Sequence, residues 1–347
     1  MLGPIFTGVQ GTELSLQEIN LLKNPLIGGV VLFARNVSTP EQLLALTASI
    51  KALRTPQLLI AVDQEGGRVA RLREGFTDLP NLQKIGEIYA DDPELGLKCA
   101  REMGWLLATE VLSVGIDISF APVLDLNIGN TSVIGNRSFA ASPQVVTVLA
   151  GAMVDGMAEA GMPGATGKHY PGHGYAKGDS HHTEPVDERP YETIKNNDLV
   201  PYARLVHLRA VMSAHVIYPA VDIKPASFSE KWLQQILRSE LGFQGIVFSD
   251  DLDMAGAKSV GSLVQRIQAC LQAGNDIALI CNEFAELART LLELAQLKVP
   301  ADLTGRLENL RGLAKISYAE LSQHPRCLAA RKLIEQIQFA STATTAL

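Results

Sequence analysis

Residues 57–67, QLLIAVDQEGG, contain a pattern that recurs along the whole chain. A short apolar run, Gln57–Val62, ends abruptly in Asp63 and is followed by turn residues. Similar apolar runs occur seven more times, each leading into Gly, Asn, Asp or His: Pro4–Val9, Gly28–Phe33, Ile116–Pro122, Gly164–Lys168, Ala210–Ala214, Gly245–Ser249 and Asp276–Ile280. Continuous rather than alternating apolar residues are typical of strands buried on both faces of a parallel sheet.

Segments of helical periodicity lie between most of these runs. Thr39–Leu53 begins with an N-cap Thr and a Pro at the first helical position, and Ser142–Gly161 begins likewise with Ser-Pro. Ser227–Leu241 and Val260–Ala273 repeat the pattern. About eight strand–helix alternations predict an α/β fold of the (β/α)8 TIM-barrel type, with room for irregular early strands. The first strand is not followed by a GxGxxG motif, which disfavours a dinucleotide-binding fold.

The remaining segments predict extra helices but no second domain. The stretch between the third and fourth strands is too long for one helix, so Arg71–Leu79 is expected to form a loop followed by at least one extra helix. From about residue 301 the chain becomes helical, with Asp302–Ala314 and Pro325–Ile337 as predicted helices. We find no linker rich in Pro, Gly or Ser, which predicts a single domain over residues 1–347.

Composition narrows the class of protein. The 347 residues are 47% hydrophobic and 19% charged, with a net charge of −7 and no long basic run, which argues against nucleic-acid binding. We find no apolar run of membrane-spanning length and no signal-peptide pattern in the first residues, so a cytoplasmic protein is expected. The four cysteines lack CxxC spacing and are expected to be reduced and mostly buried: Cys99, Cys270, Cys281 and Cys327.

The fifth apolar run enters a loop unusually rich in titratable groups, Gly167–Pro185 (GKHYPGHGYAKGDSHHTEP). It contains four of the seven histidines, and its Gly and Pro residues exclude a regular helix. A solvated surface loop is the alternative, but exposed filler loops favour Ser, Glu and Lys over clustered His. A functional loop is therefore the better interpretation.

Polar side chains stand where a barrel places its chemistry. Asp63, Lys168, His169, His215 and Asp250 each follow the last apolar residue of a strand. These positions converge on the carboxyl face of a (β/α)8 barrel. One Asp there could simply cap the next helix, but five such residues predict a shared pocket.

Two carboxylate arrangements could carry catalysis. Asp250 and Asp251 would repel each other if both were ionised at close range. One is therefore expected to face the pocket as a nucleophile or acid, and the other to cap a helix near Leu252. Asp179 is two residues before His181, a spacing that allows a carboxylate to orient an imidazole for proton transfer. The residues by themselves do not separate His181 from the neighbouring His182.

Cations in the same region indicate the class of ligand. Lys168, Arg71 and Arg137, with Asp63 as an acceptor, suit a polyhydroxylated molecule, because hydroxyls both donate and accept hydrogen bonds. The alternative is that these groups form structural salt bridges with one another.

A metal site is a weaker interpretation of the histidines. His169 and His173 have the four-residue spacing of metal ligands on a helix, but Pro171 and Gly172 lie between them and exclude helical geometry. No metal is expected, and His173 is expected to brace the loop internally.

Six motifs together resemble glycoside hydrolase family 3 β-N-acetylglucosaminidases, in particular the short bacterial single-domain members. They occur in the family's order and cover the chain to about residue 290. They are AVDQEGGRVAR (Ala61–Arg71), ISFAPVLD (Ile118–Asp125), GNRSF (Gly135–Phe139), GKHYPGHG (Gly167–Gly174), DSH (Asp179–His181) and FSDDLDM (Phe248–Met254). Tyr170 stands where close relatives often have Phe.

The resemblance implies a role for each matching residue. Asp250 matches the family's nucleophile, His181 its general acid/base, and Asp179 the residue that orients that histidine. The positions that hold N-acetylglucosamine are matched by Asp63, Arg71, Arg137, Lys168 and His169.

The implied reaction is retaining hydrolysis of a terminal β-linked N-acetylglucosamine. The implied substrate is a muropeptide, N-acetylglucosamine linked to anhydro-N-acetylmuramic acid, in peptidoglycan recycling. No cofactor, nucleic acid or membrane partner is implied, and a monomer is expected. Two alternatives stay open: a metal-dependent barrel hydrolase and a non-catalytic sugar-binding protein.

Overall fold

The computed structural model describes residues 1–129, 133–176 and 185–339. Its strands are β1 (Ile5–Thr7), β2 (Ile27–Leu32), β3 (Leu59–Val62), β4 (Ile118–Ser119), β5 (Thr166–Tyr170), β6 (Ala210–Ser213), β7 (Ile217–Tyr218), β8 (Asp222–Pro225), β9 (Ile246–Asp251) and β10 (Ile277–Ile280). Eight of them form one parallel sheet in the order β4-β3-β2-β1-β10-β9-β6-β5, while β7 and β8 form a separate antiparallel pair.

The edge strands β4 and β5 are joined by backbone hydrogen bonds just beyond the end of β4. Thr166 N–H donates to the carbonyl of Ala121 (2.8 Å), and Leu124 N–H donates to the carbonyl of Lys168 (2.7 Å). A parallel bridge between Val123 and Lys168 lies at the same junction. The sheet therefore curls into a nearly closed barrel, which confirms the predicted (β/α)8-type architecture.

Each predicted apolar run supplies one strand of this sheet. The strands β1, β2, β3, β5, β6 and β10 are buried along their whole length, as expected for strands covered on both faces. The early strands are irregular, as the sequence analysis anticipated. Strand β4 spans only two residues, and the register of β1 against β2 shifts after Ile5.

Three phenylalanines, from β1, β9 and the residue after β4, meet inside the barrel. Phe6 and Phe120 each pack edge-to-face on Phe248, with ring centroids 5.5 and 5.2 Å apart. Phe120 also lines the cleft described below, so this aromatic group forms part of its floor. The four cysteines are free and buried, as predicted.

Helices cover the outside of the barrel. They are α1 (Leu16–Leu22), α2 (Pro40–Lys51), α3 (Leu82–Asp91), α4 (Pro93–Ser113), α5 (Pro143–Ala160), α6 (Tyr191–Asn196), α7 (Val200–Arg204), α8 (Ala255–Lys258), α9 (Leu263–Ala273), α10 (Phe284–Glu293), α11 (Leu303–Glu308), α12 (Pro325–Phe339) and a π-helical segment, Lys231–Glu240. Thr39 and Ser142 accept hydrogen bonds from N–H groups in the first turns of α2 and α5, as the Thr-Pro and Ser-Pro signals predict. The extra helices expected after Arg71–Leu79 are α3 and α4.

Two predicted helices differ from the structure. The segment predicted as Ser227–Leu241 divides into a 3₁₀ turn, Ala226–Phe228, and the π-helical segment. The segment predicted as Asp302–Ala314 is helical only as far as Glu308, and a Cβ at Gly312 would lie 2.8 Å from the Asp117 carbonyl. The helix therefore ends before Gly312, where the backbone packs against the residue that precedes β4. No helix among the described residues is both long and apolar enough to span a bilayer.

The close packing of α4 against α5 on the outside of the barrel provides a test of the fold. A Cβ at Gly104 would lie 2.2 Å from the Met153 carbonyl on the facing helix. We expect Gly104→Ala to lower the free energy of unfolding by about 1–3 kcal/mol, since the two backbones must separate. Urea denaturation measures the change.

The matched control is Gly305→Ala in α11, where a Cβ would meet nothing within 4 Å. Alanine has a higher helix propensity than glycine, so this variant should be as stable as the unmodified protein or more stable by up to about 1 kcal/mol. Equal stability of Gly104→Ala and the unmodified protein would contradict the described contact of α4 with α5.

Candidate functional site

A cleft of about 620 Å³ opens where the sheet strands end. It is lined by six residues that the sequence assigned to the site: Asp63, Arg71, Arg137, Lys168, His169 and Asp250. Asp179 and His181, together with His182, lie outside the described residues. The structure thus brings together side chains from the ends of β3, β5 and β9 with two arginines from the loops.

Lys168 is the buried centre of the site. Its side chain is 2% exposed, and its Nζ lies 2.7 Å from Asp63 Oδ1 and 2.6 Å from Glu65 Oε1. Burial lowers the pKa of the lysine, but the two carboxylates outweigh burial and hold the pKa above its usual value. Lys168 is therefore a permanently charged donor that ties β5 to the loop after β3.

Glu65 is shared between Lys168 and Arg137. Arg137 binds it through two hydrogen bonds, Nε to Oε2 at 2.9 Å and Nη2 to Oε1 at 2.7 Å. Burial raises the pKa of Glu65, but Arg137 and Lys168 together hold it far below the usual range. A weaker ion pair joins Arg71 Nη2 to Asp63 Oδ2 at 3.6 Å. The salt bridges considered as the alternative are thus present, and Lys168, Arg71 and Arg137 line the cleft as well.

A second buried carboxylate, Asp125, orients His169. Its Oδ2 lies 2.7 Å from His169 Nδ1, while Oδ1 accepts the backbone N–H of His173 at 2.6 Å. Burial raises the pKa of Asp125, but His169 and His173 lower it by more. The net pKa lies below its usual value, so the carboxylate stays ionised. We therefore assign the proton to Nδ1 of His169, which leaves Nε2 as an acceptor facing Arg137 Nη2 at 3.4 Å.

Asp250 has the electrostatic surroundings of an ionised carboxylate. Burial raises its pKa, but the imidazoles of His169 and His215, the N–H of Asp251 and the ammonium of Lys168 lower the pKa below its usual value. The Asp251 N–H donates to Asp250 Oδ1 at 2.8 Å. Asp250 can therefore present a negative charge to the cleft at neutral pH.

The neighbouring Asp251 does not have the predicted capping role. The helix that follows, α8, begins at Ala255 with Met254 at its N-cap, so Asp251 does not cap it. Asp251 Oδ1 instead accepts the backbone N–H groups of Asp253 (3.1 Å) and Cys281 (3.2 Å). The side chain thus ties the loop after β9 to the end of β10, and it lines the cleft together with Asp250.

His215 lies beneath the cleft rather than in its lining, contrary to the pocket position predicted for it. Its ring is 1% exposed, with Nδ1 2.6 Å from Ser227 Oγ and Nε2 3.0 Å from the Asp251 carbonyl. Burial lowers the pKa of His215, which favours the neutral ring. The imidazole therefore supports the backbone that carries Asp250.

His169 in β5 and His173 in the loop after it pack on each other. The rings of His169 and His173 meet edge to face with centroids 5.9 Å apart. Within the described parts of the chain, no group of three or more His, Cys, Asp or Glu side chains is placed to hold a metal ion. His173 braces the start of the loop through its backbone bond to Asp125, as expected.

Two residues of the site had no assigned role in the sequence analysis: Glu65 and Asp125. Each is at most 1% exposed. The available signal was a charged residue within a few positions of a strand end, in QEGG for Glu65 and VLD for Asp125. That signal places each carboxylate near the site but does not identify the cation or imidazole it binds, since those partners are distant in sequence.

The chain is similar to known glycoside hydrolases over nearly its whole length. The family model described as the glycosyl hydrolase family 3 N terminal domain matches residues 8–304. A beta-hexosaminidase of Nitrosomonas eutropha is 48% identical over 343 residues, which cover 98% of each chain. One of Pseudomonas aeruginosa is 48% identical over 340 residues, covering 98% of this chain and 99% of the other.

A solved structure shows the same fold. NagZ from Neisseria gonorrhoeae, in complex with N-trifluoroacetyl-D-glucosamine, has a TM-score of 0.89 and 42% sequence identity to this chain. The match covers 97% of this chain and 98% of that one.

The ion network of the cleft predicts a pH-dependent stability. Glu65 has a folded-state pKa below its unfolded value, so its charge stabilises the fold fully above about pH 4.3 and progressively less as pH falls below that value. Removing the charge leaves Lys168 and Arg137 poorly compensated. We expect Glu65→Gln to lower the free energy of unfolding by about 3–5 kcal/mol at pH 7, with a smaller difference at pH 3.

Urea denaturation of both proteins at the two pH values measures this difference. Glu308→Gln is the control, because it removes a surface partner of Arg311 at 2.8 Å and should change stability by less than about 1 kcal/mol. A Glu65→Gln deficit that is the same at pH 3 and pH 7 would show that the charge is not what stabilises the site.

Proposed function

The chain belongs to glycoside hydrolase family 3, and we propose that it is a retaining exo-β-N-acetylglucosaminidase that acts on muropeptides. The observation that carries this proposal is the pairing, in one cleft, of an ionised carboxylate with a fixed set of buried cations and acceptors. Relatives at 48% identity carry the name beta-hexosaminidase, and a related structure holds an N-acylated glucosamine.

The cleft residues are proposed to bind the terminal N-acetylglucosamine. Asp63 is 21% exposed and Arg71 29%, so both retain free surface toward the cleft despite their ion pairs. The ammonium of Lys168, the guanidinium of Arg137 and the Nε2 acceptor of His169 add further donors and acceptors. These groups are held by buried partners, so they are oriented before a sugar binds and lose little entropy on binding it.

Asp250 is proposed as the nucleophile. Its lowered pKa provides the anion needed to attack the anomeric carbon, and the His215–Ser227 contact supports the backbone on which it stands. Attack forms a covalent glycosyl-aspartate, and water then releases the sugar with retention of configuration.

His181, oriented by Asp179, is proposed as the general acid/base. The support is the motif match in the sequence, since both residues lie outside the described part of the chain. An imidazole with a pKa near neutrality can donate a proton to the leaving oxygen and later take one from water. As a neutral base it also avoids repulsion with Asp250.

The proposed substrate is N-acetylglucosamine linked to anhydro-N-acetylmuramic acid, a fragment released during peptidoglycan recycling. The cleft extends beyond the predicted sugar-binding residues to Phe33, Met254, Lys258 and Asn282, which leaves space for an aglycone. A cytoplasmic location is part of the proposal, and the buried free cysteines are consistent with a reducing compartment. We propose that the enzyme works as a monomer without a cofactor.

The nucleophile assignment predicts different outcomes for two adjacent residues. We expect Asp250→Ala to remove nearly all turnover. Asp251→Asn should retain most of it, because burial and the neighbouring Asp253 raise the pKa of Asp251 and already favour its neutral form. Steady-state hydrolysis of an aryl N-acetyl-β-glucosaminide measures both.

The covalent label identifies the nucleophile directly. A 5-fluoro glycosyl derivative should accumulate on the enzyme, and peptide mass spectrometry should locate it on Asp250. Recovery of the label on Asp251 would overturn the assignment.

The acid/base assignment predicts a dependence on the leaving group. A dinitrophenolate needs little protonation to depart, whereas a sugar aglycone needs a proton donor. We therefore expect His181→Ala to slow cleavage of the dinitrophenyl glycoside far less than that of a disaccharide, with a burst as the intermediate accumulates. Asp179→Ala should give a weaker version of this pattern.

His182→Ala is the matched control, since it removes the adjacent imidazole. It should leave the ratio of the two rates unchanged. If His182→Ala shows the leaving-group dependence and His181→Ala does not, the wrong histidine has been assigned.

A further inference from the structure

The segment that contains Asp179 and His181 leaves the barrel through a tightly held turn. His173 N–H donates to Asp125 Oδ1 at 2.6 Å, and the carbonyl of Gly172 accepts the Tyr218 hydroxyl. The backbone just before Tyr175 is therefore fixed to the barrel.

The chain is also fixed where it returns. Ile217 N–H donates to the carbonyl of Pro185, and Asp187 N–H donates to the carbonyl of Ile217, both at 2.9 Å. Residues 185–187 thus run alongside β7 as a short parallel extension.

Arg189 connects these two places. Its Nη2 lies 2.6 Å from Asp187 Oδ2, and its Nη1 and Nη2 lie 2.9 and 3.0 Å from the two carboxylate oxygens of Asp198. The guanidinium also stacks 4.6 Å from the ring centroid of Tyr175, on the outgoing side of the segment. We call Tyr175, Asp187, Arg189 and Asp198 the Arg189 clamp.

Asp198, between α6 and α7, anchors the clamp and touches the outgoing turn as well. A Cβ at Gly172 would lie 2.6 Å from Asp198 Oδ1, so the turn and the carboxylate are in close contact. A residue with a side chain at position 172 would displace Asp198 from Arg189.

The burial of the clamp indicates that it fixes the positions of the segments it joins rather than adding to the stability of the fold. Asp187 and Asp198 are at most 1% exposed, and the Arg189 side chain is 11% exposed. Burial raises the pKa of Asp198 to about 6 despite Arg189, which means that its charge is held at an energetic cost. Apolar residues of similar size could stabilise the fold as well, but they would not set a fixed geometry with several partners.

We propose that Arg189 is a positioning residue for the acid/base step, because it holds both ends of the segment that contains Asp179 and His181. The inference rests on the proposed roles of those two residues. Fixing both ends narrows the conformations that the residues between them can adopt. A general acid must lie within hydrogen-bond reach of the leaving oxygen, and a displacement of about 1 Å can lower the rate by about 10²-fold.

The test compares two substrates in the full-length enzyme. kcat/KM is measured for the dinitrophenyl glycoside and for a disaccharide with the unmodified protein, Arg189→Met, Arg189→Lys and Tyr175→Leu. We expect Arg189→Met to lower kcat/KM for the disaccharide by at least about tenfold and for the dinitrophenyl glycoside by less than about threefold. Arg189→Lys keeps the charge but lacks the planar guanidinium that binds Asp187 and Asp198 through several nitrogens at once, so it should give an intermediate ratio, as should Tyr175→Leu.

The control is Arg306→Met, which removes a partly buried arginine bound to Asp276 through contacts of 2.7 and 2.9 Å, remote from the cleft residues. It should lower the melting temperature without changing the ratio of the two kcat/KM values. A merely structural role for Arg189 predicts the same behaviour, so an unchanged ratio in Arg189→Met and Arg189→Lys would overturn the inference.

His181→Ala, measured in parallel, separates this inference from the proposed function. Leaving-group dependence in His181→Ala but not in the Arg189 variants would overturn the clamp alone. Absence of that dependence in His181→Ala would overturn the proposed acid/base and, with it, the positioning role.

Discussion

The ion pairing of Lys168 with Asp63 and Glu65 is the interaction on which the cleft depends. A lysine that is 2% exposed must be paired, because an isolated ammonium in such a place would lose its charge or unfold the site. Lys168 stands on β5 and its partners follow β3, so the pairs cross the two-residue strand β4, beside the junction where the barrel closes. The same contacts therefore reinforce the junction where the barrel closes and place three charged groups at the cleft.

The second layer of the site follows from this arrangement. Glu65 fixes Arg137, and Asp125 fixes His169 with Nδ1 protonated, so the groups facing the cleft have defined orientation before any ligand arrives. Burying so many charges gives little net stability compared with apolar packing. We infer that their function is preorganised recognition of a polyhydroxylated ligand, with Asp250 kept anionic by the same positive surroundings.

The sequence predicted the barrel well because its signals are local. Eight apolar runs ending in polar residues give the strands, and the Thr-Pro and Ser-Pro caps give the starts of α2 and α5. The pair β7–β8 was not predicted, since Ile217–Tyr218 and Asp222–Pro225 are short and Ile223 is largely exposed. The capping role expected for Asp251 was wrong, because its partners Cys281 and Asn282 directly follow β10 and could not be identified from nearby residues.

The sequence predicted which residues belong to the candidate site but not which of them pair with one another. Asp63, Lys168, His169 and Asp250 were identifiable from their positions after strands, and Arg71 and Arg137 were identifiable as cations of the same region. The pairings were not identifiable, because Glu65 and Arg137 are 72 residues apart and Asp125 and His169 are 44 apart. Only the folded barrel brings them together, and Asp179 and His181 remain predictions from the sequence.

We propose that this cleft holds a retaining glycosidase in which Asp250 is the nucleophile. Proton NMR of the reaction with an aryl N-acetyl-β-glucosaminide, recorded before the product mutarotates, tests it most directly. We predict that the first N-acetylglucosamine to appear is the β-anomer, because two displacements at the anomeric carbon restore the original configuration. Initial formation of the α-anomer would mean that water attacks directly and would contradict a covalent role for Asp250.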